Sequence, residues 1–159
     1  IAAARFTAET RALPIALRTM ERIHASTDAA LGVPHRVDDP GADFHLEDQA
    51  LTTRAYLDAF EATQQAEWLE RARALAGVTL ERYRDADGAL LDRPADASAL
   101  GLLAQPFRPI TDAPVPAGNP VMALALCRLA ALTGDGRWSD EAMRVLRPFA
   151  AAAPQKYSS

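Results

Sequence analysis

Apolar residues recur at steps of three and four along most of this chain, the spacing of an amphipathic helix. Leu13, Leu17, Met20, Ile23 and His24 share one face, predicting a helix from about Pro14 to Ala30 ended by Gly32 and Pro34. Residues 33–44, with Pro34, Pro40 and Gly41 among charges, read as a loop. A second helix is predicted from about Leu46 to Thr63, with Ala50, Leu51, Leu57 and Phe60 apolar and two carboxylates in its first turn. A third runs from about Glu67 to Tyr83 and stops at Asp85-Ala86-Asp87-Gly88. Residues 89–118 carry Pro94, Pro106, Pro109, Pro114 and Pro116, so they form no long helix, and so long a connection usually has a task. Asn119-Pro120 reads as an N-cap followed by proline at the first helical position, opening a fourth helix to Leu132. A fifth runs from about Ser139 to Ala152. The fold class is therefore all-α.

The pattern repeats. Thr133 to Trp138 stands 70 residues after Thr63 to Trp68, both T-x4-W, and the match extends to Ala72 with Ala142 and Leu75 with Val145. Each copy is a long apolar helix, a short turn and a second helix whose opening Trp packs back on the first: an αα-hairpin of the kind that stacks or closes into rings. About five helices make an incomplete array, and a chain starting at Ile1 without Met fits a processed or truncated piece. Residues 1–153 are expected to form one partial domain and 154–159 a polar tail. First helices of successive hairpins point the same way, so the segments at 44–49 and 116–120 should share one rim, where helix N-termini favour anionic or polyhydroxyl ligands.

Composition narrows the possibilities. The 159 residues carry a net charge of -4, with 16 Arg and one Lys scattered among 21 carboxylates. No clustered basic footprint exists, so nucleic acid is not an expected partner. No apolar run approaches membrane-spanning length and no leader is visible, so neither membrane nor export is expected and the location is read as cytoplasmic. One cysteine, Cys127, makes no internal disulfide or redox pair; on an apolar helix face it is expected to be inert.

Candidate chemistry gathers at the rim. Glu47 and Asp48 are a general acid and base pair by residue type, although adjacent helical positions diverge by about 100°, so at most one faces a common cavity. The competing role is to complement the helix dipole. His45, just before that helix, is a candidate proton-transfer group or a solvated side chain. Gly118 and Asn119 are candidates for ligand contact, or simply the helix cap. Phe107 and Arg108, between prolines in the long loop, cover a cavity mouth or pack on the rim. His24 reads as a boundary residue and His35 as part of a loop; three histidines without i,i+4 spacing predict no metal site, and no cofactor is expected. Trp68 and Trp138 read as packing residues.

Two stretches carry a family resemblance: LEDQALTTRAYLDAFEATQQAEWLERARALAGVTLERY, and VPAGNPVMALALCRLAALTGDGRW. They resemble the C-terminal part of the thioredoxin-domain-containing, spermatogenesis-associated proteins, from about Leu46 to Ala150. The most specific pieces are the LEDQA start, the EAT-x4-WL turn, the P-x-G-N helix start and the LTGD-x-x-W turn. Those proteins join a thioredoxin-like domain to an (α/α)6 toroid similar to six-hairpin glycosidases and N-acylglucosamine 2-epimerases. The resemblance implies that these helices are part of a toroid whose remainder, with the thioredoxin-like domain, lies outside the chain. It also implies a carbohydrate ligand for the complete domain, or alternatively a scaffold that presents a thioredoxin-like domain or partner protein. Family members commonly have Ser where this chain has Pro120, and Gly-Asp where it has Gln64-Gln65. An incomplete ring exposes an apolar flank, so the piece alone is expected to be inactive and to associate with itself or its missing half.

Overall fold

The structure, a computed structural model, describes residues 11–39, 43–95, 107–112 and 114–150. The predicted tail at 154–159 lies outside the described residues. Five α-helices follow one another: α1 (Ala12–Ala25), α2 (Leu46–Thr63), α3 (Ala66–Arg82), α4 (Gly118–Thr133) and α5 (Arg137–Ala150). Among the described residues there are no strands, only isolated bridges joining Asp28 to Gly32 and Arg84 to Leu90.

The two hairpins, α2–α3 and α4–α5, pack side by side through α2 and α4, while α3 and α5 lie behind them. The inner helices are accordingly the more thoroughly buried. Leu46, Ala50, Leu57 and Ala59 of α2 and Met122, Ala125, Leu126 and Leu129 of α4 are essentially inaccessible. Burying each large aliphatic side chain stabilises the fold by about 1.5 to 3 kcal/mol relative to leaving it in water. Arg128 of α4 also joins the pair, reaching Asp58 at 2.8 Å and Glu61 at 2.7 Å on α2.

The repeat is visible atom by atom at both turns. Thr63 and Thr133, the last residues of α2 and α4, donate their hydroxyls to the carbonyls of Ala59 and Leu129 and accept the N–H of Gln65 and Asp135. The next residue is left-handed in each copy, Gln64 with φ 57° and Gly134 with φ 70°. Trp68 then packs its buried ring against Tyr56 of α2, centroids 5.9 Å apart. Trp138 packs on the core in the same role while partly exposed.

Predicted boundaries move at α1 and α4, and α5 begins two residues earlier than predicted, at Arg137. Pro14 sits inside the first turn of α1, where its missing N–H costs nothing, and the helix ends at Ala25 because Ser26 and Thr27 turn back onto the Ile23 and His24 carbonyls. Helix α4 starts at Gly118, capped by Ala117 in extended conformation, so Asn119 lies inside the first turn and caps nothing. Cys127 faces outward instead of joining the apolar face that packs on α2.

Candidate functional site

The N-termini of α2 and α4 meet. A β-carbon added to Gly118 would stand 2.6 Å from Leu46 Cγ, so this crossing requires a residue without a side chain. The rim is then built by two buried amides that occupy equivalent places in the repeat, Gln49 and Asn119. Gln49 accepts the Val33 N–H at 2.7 Å and donates to the Val33 and His45 carbonyls at 2.8 and 3.0 Å. Asn119 accepts the Leu90 N–H at 2.8 Å and donates to the Leu90 and Pro109 carbonyls at 2.8 and 2.9 Å. Each fastens the loop entering its helix. Neither amide has any exposure or a spare donor for a ligand. The sequence placed Gly118 and Asn119 among ligand contacts; the structure assigns one to helix crossing and the other to loop attachment.

Fastened this way, two loops bring polar side chains over the start of α2. His35, with its N–H on the Asp43 carbonyl, sets Nδ1 2.8 Å from Asp48 Oδ2. His45 sets Nδ1 3.4 Å from Asp92 Oδ2. The two imidazoles meet edge to face, with centroids 4.9 Å apart. Asp92 is held by its own backbone, accepting the Leu46 N–H and donating to the Phe107 carbonyl, both at 2.8 Å. Sequence reasoning missed His35 and Asp92, because partners 13 and 47 residues apart leave no periodic trace; the LLDRP stretch was the available signal for Asp92.

The electrostatics follow from this arrangement. Hydrogen bonding to Asp48, then the fields of Asp48 and Glu47, raises the His35 pKa above the ordinary imidazole value. Beneath the site Tyr83 is buried, its hydroxyl 3.4 Å from the Leu31 carbonyl; burial first, and the fields of Asp48 and Asp92 second, hold its proton well above the usual phenol range. His35, Glu47 and Asp48 bring one donor atom each within 4.8 Å of one another, which makes them the group among the described residues able to hold a metal ion. Glu47 and Asp48 thus both reach the same locality despite their divergence on the helix.

The loop residues divide. Arg108 forms ion pairs with Asp85 and Asp87, anchoring the loop to the turn after α3. Phe107 is 64% exposed and stands beside Asp92 through the backbone bond between them. His24 lies away from the rim, 3.3 Å from the Tyr56 hydroxyl.

This geometry can be set beside known proteins. Over 105 residues the chain is 33% identical to spermatogenesis-associated protein 20 of Rattus norvegicus, covering 65% of this chain. The human counterpart is 32% identical over 104 residues. Over that span the chain is similar to spermatogenesis-associated protein 20. It spans 13% of the length of these relatives. No family profile matches it.

Among solved structures the chain is similar to a family 76 glycoside hydrolase, a mannosidase, from Bacteroides thetaiotaomicron VPI-5482. The TM-score is 0.66 and the identity 21%, over 89% of this chain and 38% of that one. A second family 76 glycoside hydrolase, from a bovine Bacteroides thetaiotaomicron strain, gives 0.65 and 14%, over 87% of this chain and 30% of its own. At these identities the likeness shows the fold. The helices are αα-hairpins of part of an (α/α)6 toroid, as the repeat and the resemblance implied. No helix among the described residues is long and apolar enough to cross a membrane.

Proposed function

We propose that the rim over α2 is a carbohydrate-binding surface within a sugar-processing toroid. The observation that carries this reading is the His45–Asp92 pair together with Phe107, whose carbonyl accepts the Asp92 N–H and whose side chain is exposed. An aromatic face stacks on the apolar face of a sugar, while an imidazole oriented by a carboxylate exchanges protons with a hydroxyl. Asp92 faces His45 Nδ1, which leaves Nε2 to act on a ligand. Asp48 and Glu47 supply acceptors for hydroxyl groups, and Arg108 holds the Phe107 loop in place. The fold shared with a family 76 mannosidase suggests mannose-containing oligosaccharides as the first ligands to try.

The test is a titration of the chain with manno-oligosaccharides followed by NMR. Shifts confined to residues around His45, Asp92 and Phe107, lost in His45→Ala and Phe107→Ala variants that keep the wild-type melting temperature, are expected. Saturation that is unchanged by both substitutions would remove the assignment.

A second reading, a scaffold for a thioredoxin-like domain, is favoured by the apolar side chains of Leu124, Met143 and Leu146, all exposed. Binding of a purified thioredoxin-like domain that is lost in a Met143→Glu, Leu146→Glu variant while sugar titrations stay flat would favour it.

A further inference from the structure

We propose that His35, Glu47 and Asp48 bind a divalent transition ion of borderline softness, zinc being the representative. The three donors come from two separate segments, the loop before α2 and its first turn, and lie within 4.8 Å of one another. Ligands bonded to one zinc at about 2.0 to 2.2 Å stand roughly 3 to 4 Å apart. His35 Nδ1 and Asp48 Oδ2, at 2.8 Å, are already near that separation, sharing a proton where the ion would sit. The remaining adjustment falls on Glu47, a half-buried side chain with rotatable bonds.

The positive end of α2 opposes a cation here, by the equivalent of about half a charge. Two carboxylates outweigh it. The choice of ion follows from the donors: an imidazole nitrogen with carboxylate oxygens suits zinc, cobalt or nickel and is poorly matched to magnesium or calcium, which take oxygen alone.

The site is also held ready before any ion arrives. Gln49, adjacent to the ligands on α2, bonds both the N–H and the carbonyl of Val33, and Pro34 is buried, so the backbone two residues before His35 is fixed to the same helix turn that carries Glu47 and Asp48. A β-carbon at Gly32 would strike the Gln49 side chain, so this attachment also dictates the glycine. The His45 ring flanks His35 at 4.9 Å and engages Asp92, lying against the ligand set without joining it. Three protein donors leave coordination positions open, the arrangement of a site that admits water or a ligand oxygen. The inference stands independently of the sugar reading, since metal uptake is measured without any carbohydrate.

The experiment is calorimetric titration of the chain with Zn2+, and visible spectroscopy with Co2+, in a Cys127→Ser background that removes the exposed thiol as a competing ligand. One equivalent is expected to bind with a dissociation constant on the order of micromolar. His35→Ala and Asp48→Asn should each weaken binding by at least about tenfold, with circular dichroism unchanged because neither side chain belongs to the core. His24→Gln should bind like the parent, and millimolar Mg2+ should not compete. Absence of stoichiometric binding below millimolar Zn2+, or an affinity unaltered by His35→Ala and Asp48→Asn, overturns the proposal.

Discussion

Gln64 shows what a single residue decides. It holds a left-handed conformation that costs a side-chain-bearing residue about 1 kcal/mol or more, at the position where the second hairpin has Gly134. Its amide offsets part of this by donating to the Glu61 carbonyl at 3.1 Å. Gln64→Gly should therefore stabilise the chain by roughly 0.5 kcal/mol, and Gly134→Gln should destabilise it by roughly 1 kcal/mol, both read from thermal melts. Two histidines make opposite contributions to the pH dependence. Burial first, and the charge of Arg71 second, lower the His24 pKa, so stability is lost as pH falls from the ordinary imidazole value of 6.5 toward the lower folded one. The His35 pKa is raised, so the stability from its pair with Asp48 is present below pH 6.5 and is lost as pH rises through the folded value. In urea denaturation between pH 5 and 8, His24→Gln should remove acid sensitivity and His35→Gln should increase it, the latter weakly because that pair is half in water.

At the scale of elements, stability depends on what joins α2 to α4 and the loops to both. Asn119→Leu leaves Leu90 unsatisfied at both its N–H and its carbonyl, while the Pro109 carbonyl keeps only the backbone N–H of residue 119, at 3.4 Å. A loss of more than about 2 kcal/mol is expected in chemical denaturation. Gly118→Val should do comparable damage by forcing α4 away from Leu46. Arg128→Ala removes the cation that Asp58 and Glu61, both partly buried, share and should cost about 1 to 2 kcal/mol, while a triple substitution removing all three charges should recover much of that. If Arg128→Ala proved neutral in the melt, the link between hairpins would rest on apolar contact alone.

For the molecule as a whole, the repeat shows which surfaces are finished. Leu57 and Ala76 of the first hairpin have no exposure, whereas their counterparts 70 residues on, Cys127 and Leu146, face solvent, with Leu146 at 37%. The second hairpin covers the first and is itself left open on the corresponding side. Ala76→Glu should therefore abolish cooperative unfolding, while Leu146→Glu should leave the melting temperature within a degree or two, a change of about 0.5 kcal/mol or less. Equal losses for the two would mean that Leu146 is as enclosed as Ala76 and that the second hairpin is not open on that side.

Much of this protein was legible in the chain itself because helical information is local. The three-and-four spacing and the T-x4-W turns fixed the all-α class and the bounds of α2 and α3 to within a residue. The 70-residue offset implied hairpins packed in one sense, and hence a shared rim containing His45, Glu47 and Asp48. What folding alone decided was non-local. Asn119 reads as a cap by position, yet its amide crosses to Leu90 and Pro109, because a buried amide must satisfy its groups wherever the loop runs. His35 reads as loop filler, yet Gln49 holds its segment against Asp48, and Asp92 comes to His45 from the far side of a whole hairpin. Periodicity encodes which face of a helix turns inward, but not which loop side chains that packing brings together. The helices were therefore set by the sequence pattern, and the pairing of imidazoles with carboxylates by the closure of the loops over them.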